Sequence, residues 1–162
     1  MNQTGRRKFF GRAAALAATA ASLNADDAPA LALGNRAHLF AHPGVKEKLV
    51  WCFGEVLGCG APVSLRAPGL AEPILAFRFP GGGSLSIEFT PDALSEAQAR
   101  RAAWLEIRCA NPPALKQKIL DAGLPQVTYP ATNTFYFAAP GGQVFGIVSA
   151  ANPAAGELRT VK

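Results

Sequence analysis

The sequence predicts an α+β fold in which residues 35–150 form two copies of one β-α-β-β-β module. Three observations predict it. Apolar residues at helical spacing follow an extended segment twice, three strand-like runs follow each predicted helix, and a Pro-Gly-Gly turn joins the last two runs of each set. A chain of 162 residues can bury one good core but is too short for two ordinary independent domains. We therefore expect one compact domain made of two paired modules.

The first module covers about residues 35–90. An extended segment at 36–41 precedes a helix that ends at Gly58. The apolar residues of this helix share one face: Val45, Leu49, Cys52, Phe53, Val56 and Leu57. Strands are predicted at 62–66, 74–79 and 84–90, and the last two are joined across Pro80 to Gly83 in the manner of a hairpin.

The second module covers about residues 103–150, after a predicted linking helix at 91–101. It begins with an extended segment at 103–109, and Asn111 then caps a helix that Gly123 ends. Strands are predicted at 126–129, 134–138 and 143–148, and residues 151–162 are predicted to be a flexible tail. One module cannot cover both faces of its sheet, so the modules pair within the chain or across a homodimer. Paired curved sheets leave a cleft.

The N-terminus has the three parts of an export signal. Arg6 and Arg7 are followed by a weakly apolar, alanine-rich stretch and then by small residues near Ala30. The arginine pair resembles a twin-arginine signal, which predicts a signal peptide at residues 1–32, a domain at 33–150 and a periplasmic or secreted protein. The export machinery is then a partner. The alternative is a helical or disordered extension whose two arginines are accidental.

Charge and cysteine content exclude some functions. The net charge is +5, and the basic residues of the body are scattered without a basic stripe, so nucleic acid is not a predicted partner. The three cysteines have neither CxxC spacing nor a neighbouring histidine, so no zinc cluster or disulfide framework is indicated. Cys52 and Cys59 would lie about 10 Å apart along a continuous helix, too far for a bridge. All three cysteines are predicted to be small buried hydrophobic residues.

Four short motifs, taken in order, resemble those of the vicinal oxygen chelate superfamily, which includes glyoxalase I, bleomycin-resistance proteins and extradiol dioxygenases. These motifs are AHLFA at 37–41, FGEVLG at 53–58, SIEF at 86–89 and PGGQ at 140–143. The resemblance covers nearly all of residues 35–150 and implies curved mixed sheets around a small-molecule cleft. It also implies that each module can give two metal ligands, from its first and fourth strands. His38 and Glu88 fall on these positions in the first module.

Strand alternation gives the same orientation without the resemblance. If His38 points into the cleft, Phe40 shares its face, and the apolar residues between them pack under the sheet. Around Glu88, the same alternation turns Ser86 and Thr90 towards the cleft. His42, beside a proline at the strand end, is predicted to act in a turn or cap.

The second module departs from the family pattern. The resemblance puts Trp104 and Gly146 on its ligand positions, and neither side chain can bind a metal. Glu106 shares the face of Trp104, and we conjecture it as a third ligand although it is not a family position. A divalent ion usually needs three or more protein ligands.

Each candidate residue also has a structural interpretation. His38 could serve only as a hydrogen-bonding residue of the cleft, Glu88 could pair with Arg108 or another cation of the cleft, and Trp104 could fill the core. We favour a role in binding over core filling, in which Phe40 and Trp104 offer a ring surface to a flat or apolar ligand.

Two functions from different classes follow, and no catalytic residue is assigned. The first is a metal-free binding module in which Phe40, Trp104 and the cation Arg108 hold a small molecule, and this hypothesis is favoured. The second is a metal-dependent lyase, isomerase or dioxygenase that chelates vicinal oxygens of its substrate through His38, Glu88 and Glu106. An interaction domain without a ligand is a third. No cofactor is certain, and a divalent metal is the candidate.

Overall fold

The computed structural model describes residues 34–129 and 132–151. The predicted export signal at 1–32 and nearly all of the predicted tail at 151–162 lie outside the described residues. Among the described helices, none has the length and apolar character needed to cross a bilayer.

The first module has one helix and four strands. A 3-10 turn at Pro43–Val45 leads into helix α1, and a π turn at Cys52–Val56 follows it. The elements are β1 (Arg36–Ala41), α1 (Lys46–Trp51), β2 (Val63–Leu65), β3 (Ile74–Arg78) and β4 (Ser84–Phe89).

A linking helix and the second module follow in the predicted order. The elements are α2 (Glu96–Ala102), β5 (Trp104–Cys109), α3 (Pro112–Asp121), β6 (Gln126–Val127), β7 (Phe135–Ala138) and β8 (Val144–Ser149). Helix α2 begins later than predicted. Thr90 Oγ1 accepts a hydrogen bond from the Asp92 N–H at 3.3 Å, and Gln98 Oε1 accepts one from the Ser95 N–H at 3.0 Å. The first bond favours a turn and the second caps the helix at Ser95.

Each module forms one four-stranded mixed sheet, with strand orders β1-β4-β3-β2 and β5-β8-β7-β6. The first strand of each module runs parallel to the fourth, and the other pairs are antiparallel. The same backbone hydrogen bond follows the fourth strand of each module. The Thr90 N–H donates to Ala41 O at 3.0 Å, and the Ala150 N–H donates to Cys109 O at 2.9 Å. The predicted α+β fold of two tandem β-α-β-β-β modules is confirmed.

Side-chain caps begin the first helical turn of each module. His42 Nδ1 accepts a hydrogen bond from the Gly44 N–H at 3.1 Å, which is the turn and cap role predicted for it. Asn111 Oδ1 accepts one from the Ala114 N–H at 3.1 Å. In each case a proline follows the cap, where its missing N–H costs nothing.

The end of the first helix differs from the sequence prediction. Leu57 N–H bonds to Cys52 O, Gly58 takes a φ of 74°, and Cys59 N–H bonds back to Phe53 O at 2.9 Å. The continuous helix assumed for the cysteine spacing is therefore wrong, because the chain widens into a π turn and reverses. All three cysteines are free thiols, and burial raises the pKa of Cys52 to about 12 and that of Cys59 to about 11.

One hydrophobic core serves both modules. Phe53 has no exposed surface, and its ring packs against Phe77 of β3 at 5.2 Å and Phe145 of β8 at 5.6 Å. Ile119 of α3 is buried in the same cluster. Because Phe53 contacts both sheets, the two modules are held together by apolar burial within a single chain.

Candidate functional site

Each sheet has an open face, by which we mean the face opposite the core. Along β4, Leu85, Ile87 and Phe89 are buried in the core, whereas Ser86 and Glu88 alternate with them and are partly exposed. Along β1, the predicted site residues His38 and Phe40 are exposed, as is Arg36 at the start of the strand. The structure therefore places these four predicted site residues on one open face.

His38 lies in a short hydrogen-bond chain. Its Nδ1 is 2.8 Å from Ser86 Oγ, and the Ser86 hydroxyl donates to the Ala37 carbonyl at 3.2 Å. The contact with Ser86 orients the imidazole ring of His38, and the other ring nitrogen, Nε2, lies near Glu88.

Glu88 faces this second ring nitrogen. The distance from His38 Nε2 to Glu88 Oε2 is 3.6 Å, and both side chains are partly exposed. An imidazole nitrogen and a carboxylate oxygen are both atoms that can bind a divalent metal ion. The first module therefore contains one complete half of the site that the resemblance implies.

Two other predicted residues border this pair. Phe40 packs its ring edge against His38 at 5.0 Å and is 60% exposed. Thr90, predicted to line the cleft, follows buried Phe89 and is partly exposed, and its Oγ1 accepts a hydrogen bond from the Asp92 N–H.

The strand register corrects the predicted alignment of the second module. Arg36 opposes Ser84 in the first module, and Trp104 opposes Val144 in the second. In the same register His38 opposes Ser86, and Glu106 opposes Gly146. Glu106 is thus the counterpart of His38, whereas the sequence alignment gave that place to Trp104.

The same register also shifts the fourth-strand ligand position of the second module by two residues from the predicted one. Glu88 opposes Phe40 in the first module, and Val148 opposes Arg108 in the second. Val148, not Gly146, is therefore the counterpart of Glu88, and its side chain has no metal-binding atom.

Glu106 has a charged neighbour of its own. Arg108 Nε donates to Glu106 Oε1 at 2.8 Å. Arg108, named as a candidate partner for Glu88, thus pairs with Glu106. Within residues 34–129 and 132–151, no group of three histidine, cysteine, aspartate or glutamate side chains is placed to hold a metal ion. The described residues do not fit the complete metal site implied by the resemblance, because His38 and Glu88 lack a third ligand.

An aromatic cluster occupies the open face of the second sheet. The Tyr136 ring packs at 5.4 Å against Trp104 and at 4.9 Å against Tyr129, nearly perpendicular to both. Tyr136 is buried, and Trp104 is 49% exposed. We call Trp104, Tyr129 and Tyr136 the Trp104 surface.

Gly146 makes room for this cluster. A Cβ at position 146 would stand 2.8 Å from Cε1 of Tyr136, closer than side chains tolerate. Tyr136 and Tyr129 were missed in the sequence. The available signal was Gly146 itself, because a glycine inside a strand marks the close approach of another group.

A hollow of about 350 Å³ lies at the start of α3. Its lining includes Pro113, Lys116 and Phe135, and it does not include His38, Glu88 or Trp104. This hollow therefore lies apart from the predicted site residues.

Comparison with known proteins gives the fold. No protein-family model matches this chain, and no curated protein matches it in sequence. Solved structures do match. A protein from Bacillus anthracis assigned to the glyoxalase family is 16% identical, with a TM-score of 0.56 over 74% of this chain and 97% of that one.

Two further structures match over similar lengths. A member of the glyoxalase/bleomycin resistance protein/dioxygenase superfamily from Sphaerobacter thermophilus is 13% identical, with a TM-score of 0.55 over 74% of this chain and 98% of that one. TnmS3, an antibiotic-binding protein from Streptomyces, is 18% identical, with a TM-score of 0.52 over 74% of this chain and 97% of that one. The chain has the fold of the glyoxalase/bleomycin resistance protein/dioxygenase superfamily, as its motifs predict.

Proposed function

We propose that this chain binds a flat aromatic or apolar small molecule on the Trp104 surface and does so without a metal. The observation that carries the proposal is the replacement of the second metal half-site. Where the first module has His38, Ser86 and Glu88, the second has an ion-paired glutamate, a glycine covered by Tyr136, and a valine.

The Trp104 surface is suited to binding because it is held in place before a ligand arrives. Tyr136 is buried, so it fixes the edge of the half-exposed Trp104 ring. An aromatic side chain has few torsions to immobilise and offers a large apolar area to a ligand. Binding there therefore costs little conformational entropy.

The fold comparison is consistent with this class of ligand. TnmS3, which has a similar fold, is an antibiotic-binding protein. A small organic molecule is thus a ligand class that this fold can accommodate, although the similarity itself extends only to the fold.

Titration with the neutral dye N-phenyl-1-naphthylamine tests the proposal on the full-length chain. We expect Trp104→Ala to weaken dye binding roughly tenfold or more, the loss typical of a tryptophan at the centre of a binding site. Trp51→Ala is the matched control, because Trp51 is also exposed but lies on α1. Equal losses in the two variants would show adsorption to any exposed ring and would refute the site.

Metal analysis tests the other half of the proposal. We expect the purified full-length chain to hold no stoichiometric divalent ion after reloading with zinc, manganese or iron, because two ligands hold such ions weakly. His38→Ala is the comparison variant. One bound ion per chain that disappears in this variant would refute metal-free binding and favour the metal-dependent enzyme.

We also propose that the N-terminal segment directs export, which makes the protein periplasmic or secreted. The support is the Arg6–Arg7 pair followed by a weakly apolar, alanine-rich stretch. Replacing both arginines by lysine in the full-length chain should retain the protein in the cytoplasmic fraction. Unchanged export of that variant would contradict the twin-arginine route.

A further inference from the structure

We propose that Arg36, Ser84 and Arg78 form an anion-binding subsite on the open face of the first sheet. It takes the carboxylate, sulfonate or phosphate group of an organic ligand. This subsite goes beyond the proposed function, because it lies on the other module and uses none of the Trp104 surface.

The register brings these three residues into one row. Arg36 of β1 and Arg78 of β3 both oppose Ser84 of β4, one from each side. The two arginines alternate with core residues and are exposed, so they project from the open face with Ser84 between them. Their Cα atoms lie two strand spacings apart, about 10 Å, and two arginine side chains can close that distance onto one anion.

The charges of this row are not balanced by neighbouring acids. In the described part of the chain, neither Arg36 nor Arg78 forms an ion pair. The acid on the same face is Glu88, which lies four residues beyond Ser84, about 13 Å along the strand, beside His38. Two guanidinium groups around a hydroxyl donor are a set of donors that an oxyanion satisfies.

Small side chains leave space between the two arginines. Ser84, Ser86 and Ala76 form the middle of the open face, and all three are partly exposed. Ser86 and Ala76 oppose each other in the row next to Ser84, and His38 opposes Ser86 from the other side. The surface is therefore low on the β3 side of this row, where an organic group attached to the anion can lie over Ala76 beside the His38 ring.

The fold itself does not require these charges. The corresponding row of the second module contains Trp104, Val144 and Ala138. Both modules form the same sheet, so the Arg-Ser-Arg row is a property of the first module's surface and not of the repeat. An electrostatic field from two adjacent cations is expected to attract and orient an anionic ligand.

Isothermal titration of the full-length chain with phenyl phosphate at low salt tests the subsite. We expect Arg36→Gln and Arg78→Gln each to weaken binding about tenfold, the value of one charge-assisted hydrogen bond. The double variant should lose less than the product of the two single losses, because both arginines hold the same anion. Arg101→Gln is the control, since Arg101 is an exposed cation at the end of α2.

Several outcomes would overturn the proposal. The first is that phenyl phosphate does not bind to the wild type. The second is that Arg101→Gln weakens binding as much as Arg36→Gln and Arg78→Gln do. The third is that the loss of affinity in the double variant equals the product of the two single losses. Inorganic phosphate is titrated in parallel. It should bind more weakly than phenyl phosphate, and equal affinity would overturn the assignment to an organic ligand. Trp104→Ala should leave phenyl phosphate binding unchanged, so failure of one proposal does not refute the other.

Discussion

The first module carries Arg36, His38 and Phe40 along the open face of β1, whereas the second carries Trp104, Glu106 and Arg108 at the same positions of β5. The core faces of the same strands are alike. Leu39 and Ile107 correspond in the register, and both pack against the common core. The shared core constrains one face of each sheet to be apolar, and the other face is free to differ. We therefore expect the ligand-binding residues among those that differ between the two open faces.

The largest expected effect comes from the residue that joins the modules. Phe53→Ala should lower the free energy of unfolding by about 3–5 kcal/mol, because it leaves a cavity in contact with both sheets. Phe40→Ala, at a residue 60% exposed, is the matched control and should cost far less. Urea denaturation measures both. Equal losses, or two separate transitions in the wild type, would contradict a shared core.

Alkaline pH should destabilise the first module through Cys52. The unfolded chain releases this thiol proton near 9.0, whereas the native state holds it up to about 12. The unfolded state therefore binds fewer protons across that range, and stability falls as pH rises by up to about 1.4 kcal/mol per pH unit. Below pH 9 this group should have no effect on the pH dependence.

The comparison variant is Cys52→Ala, which removes the titrating group. Its stability difference from wild type should shrink steadily between pH 9 and 11 in urea melts. A constant difference would show that Cys52 does not titrate as its burial implies.

Substitutions at corresponding positions of the two open faces should lower the free energy of unfolding by smaller amounts. Gly146→Ala drives a Cβ into the Tyr136 ring and should cost about 1–3 kcal/mol, a typical overpacking penalty. Ser86→Ala, at the corresponding position of the first module, loses the hydrogen bonds with His38 and Ala37 and should cost about 1–2 kcal/mol. In a Tyr136→Leu background the Gly146→Ala penalty should fall. An unchanged penalty there would mean that Tyr136 is not the obstacle.

Most of the fold could be predicted from the sequence because its signals are local. Asn111 and its prolines begin a helix, Gly123 ends it, and the Pro-Gly-Gly turns join neighbouring strands. The face of each site residue also followed from alternation. The π turn was missed because Gly58 shows where the helix ends and not how the turn before it is wound.

The register between strands could not be predicted. Alternation has a period of two, so a shift of two residues keeps every side chain on its face and leaves the pattern unchanged. This is why Trp104 was given the position that Glu106 holds. Tyr136 and Arg78 were missed for a related reason, because Tyr136 meets Trp104 and Arg78 shares a row with Arg36, and these partners are distant in sequence.

A single titration with N-phenyl-1-naphthylamine compares the two open faces most directly. Trp104→Ala should weaken dye binding roughly tenfold, whereas His38→Ala should change it less than about twofold. The opposite order, with His38→Ala losing the dye and Trp104→Ala retaining it, would place binding on the first module and contradict binding on the Trp104 surface.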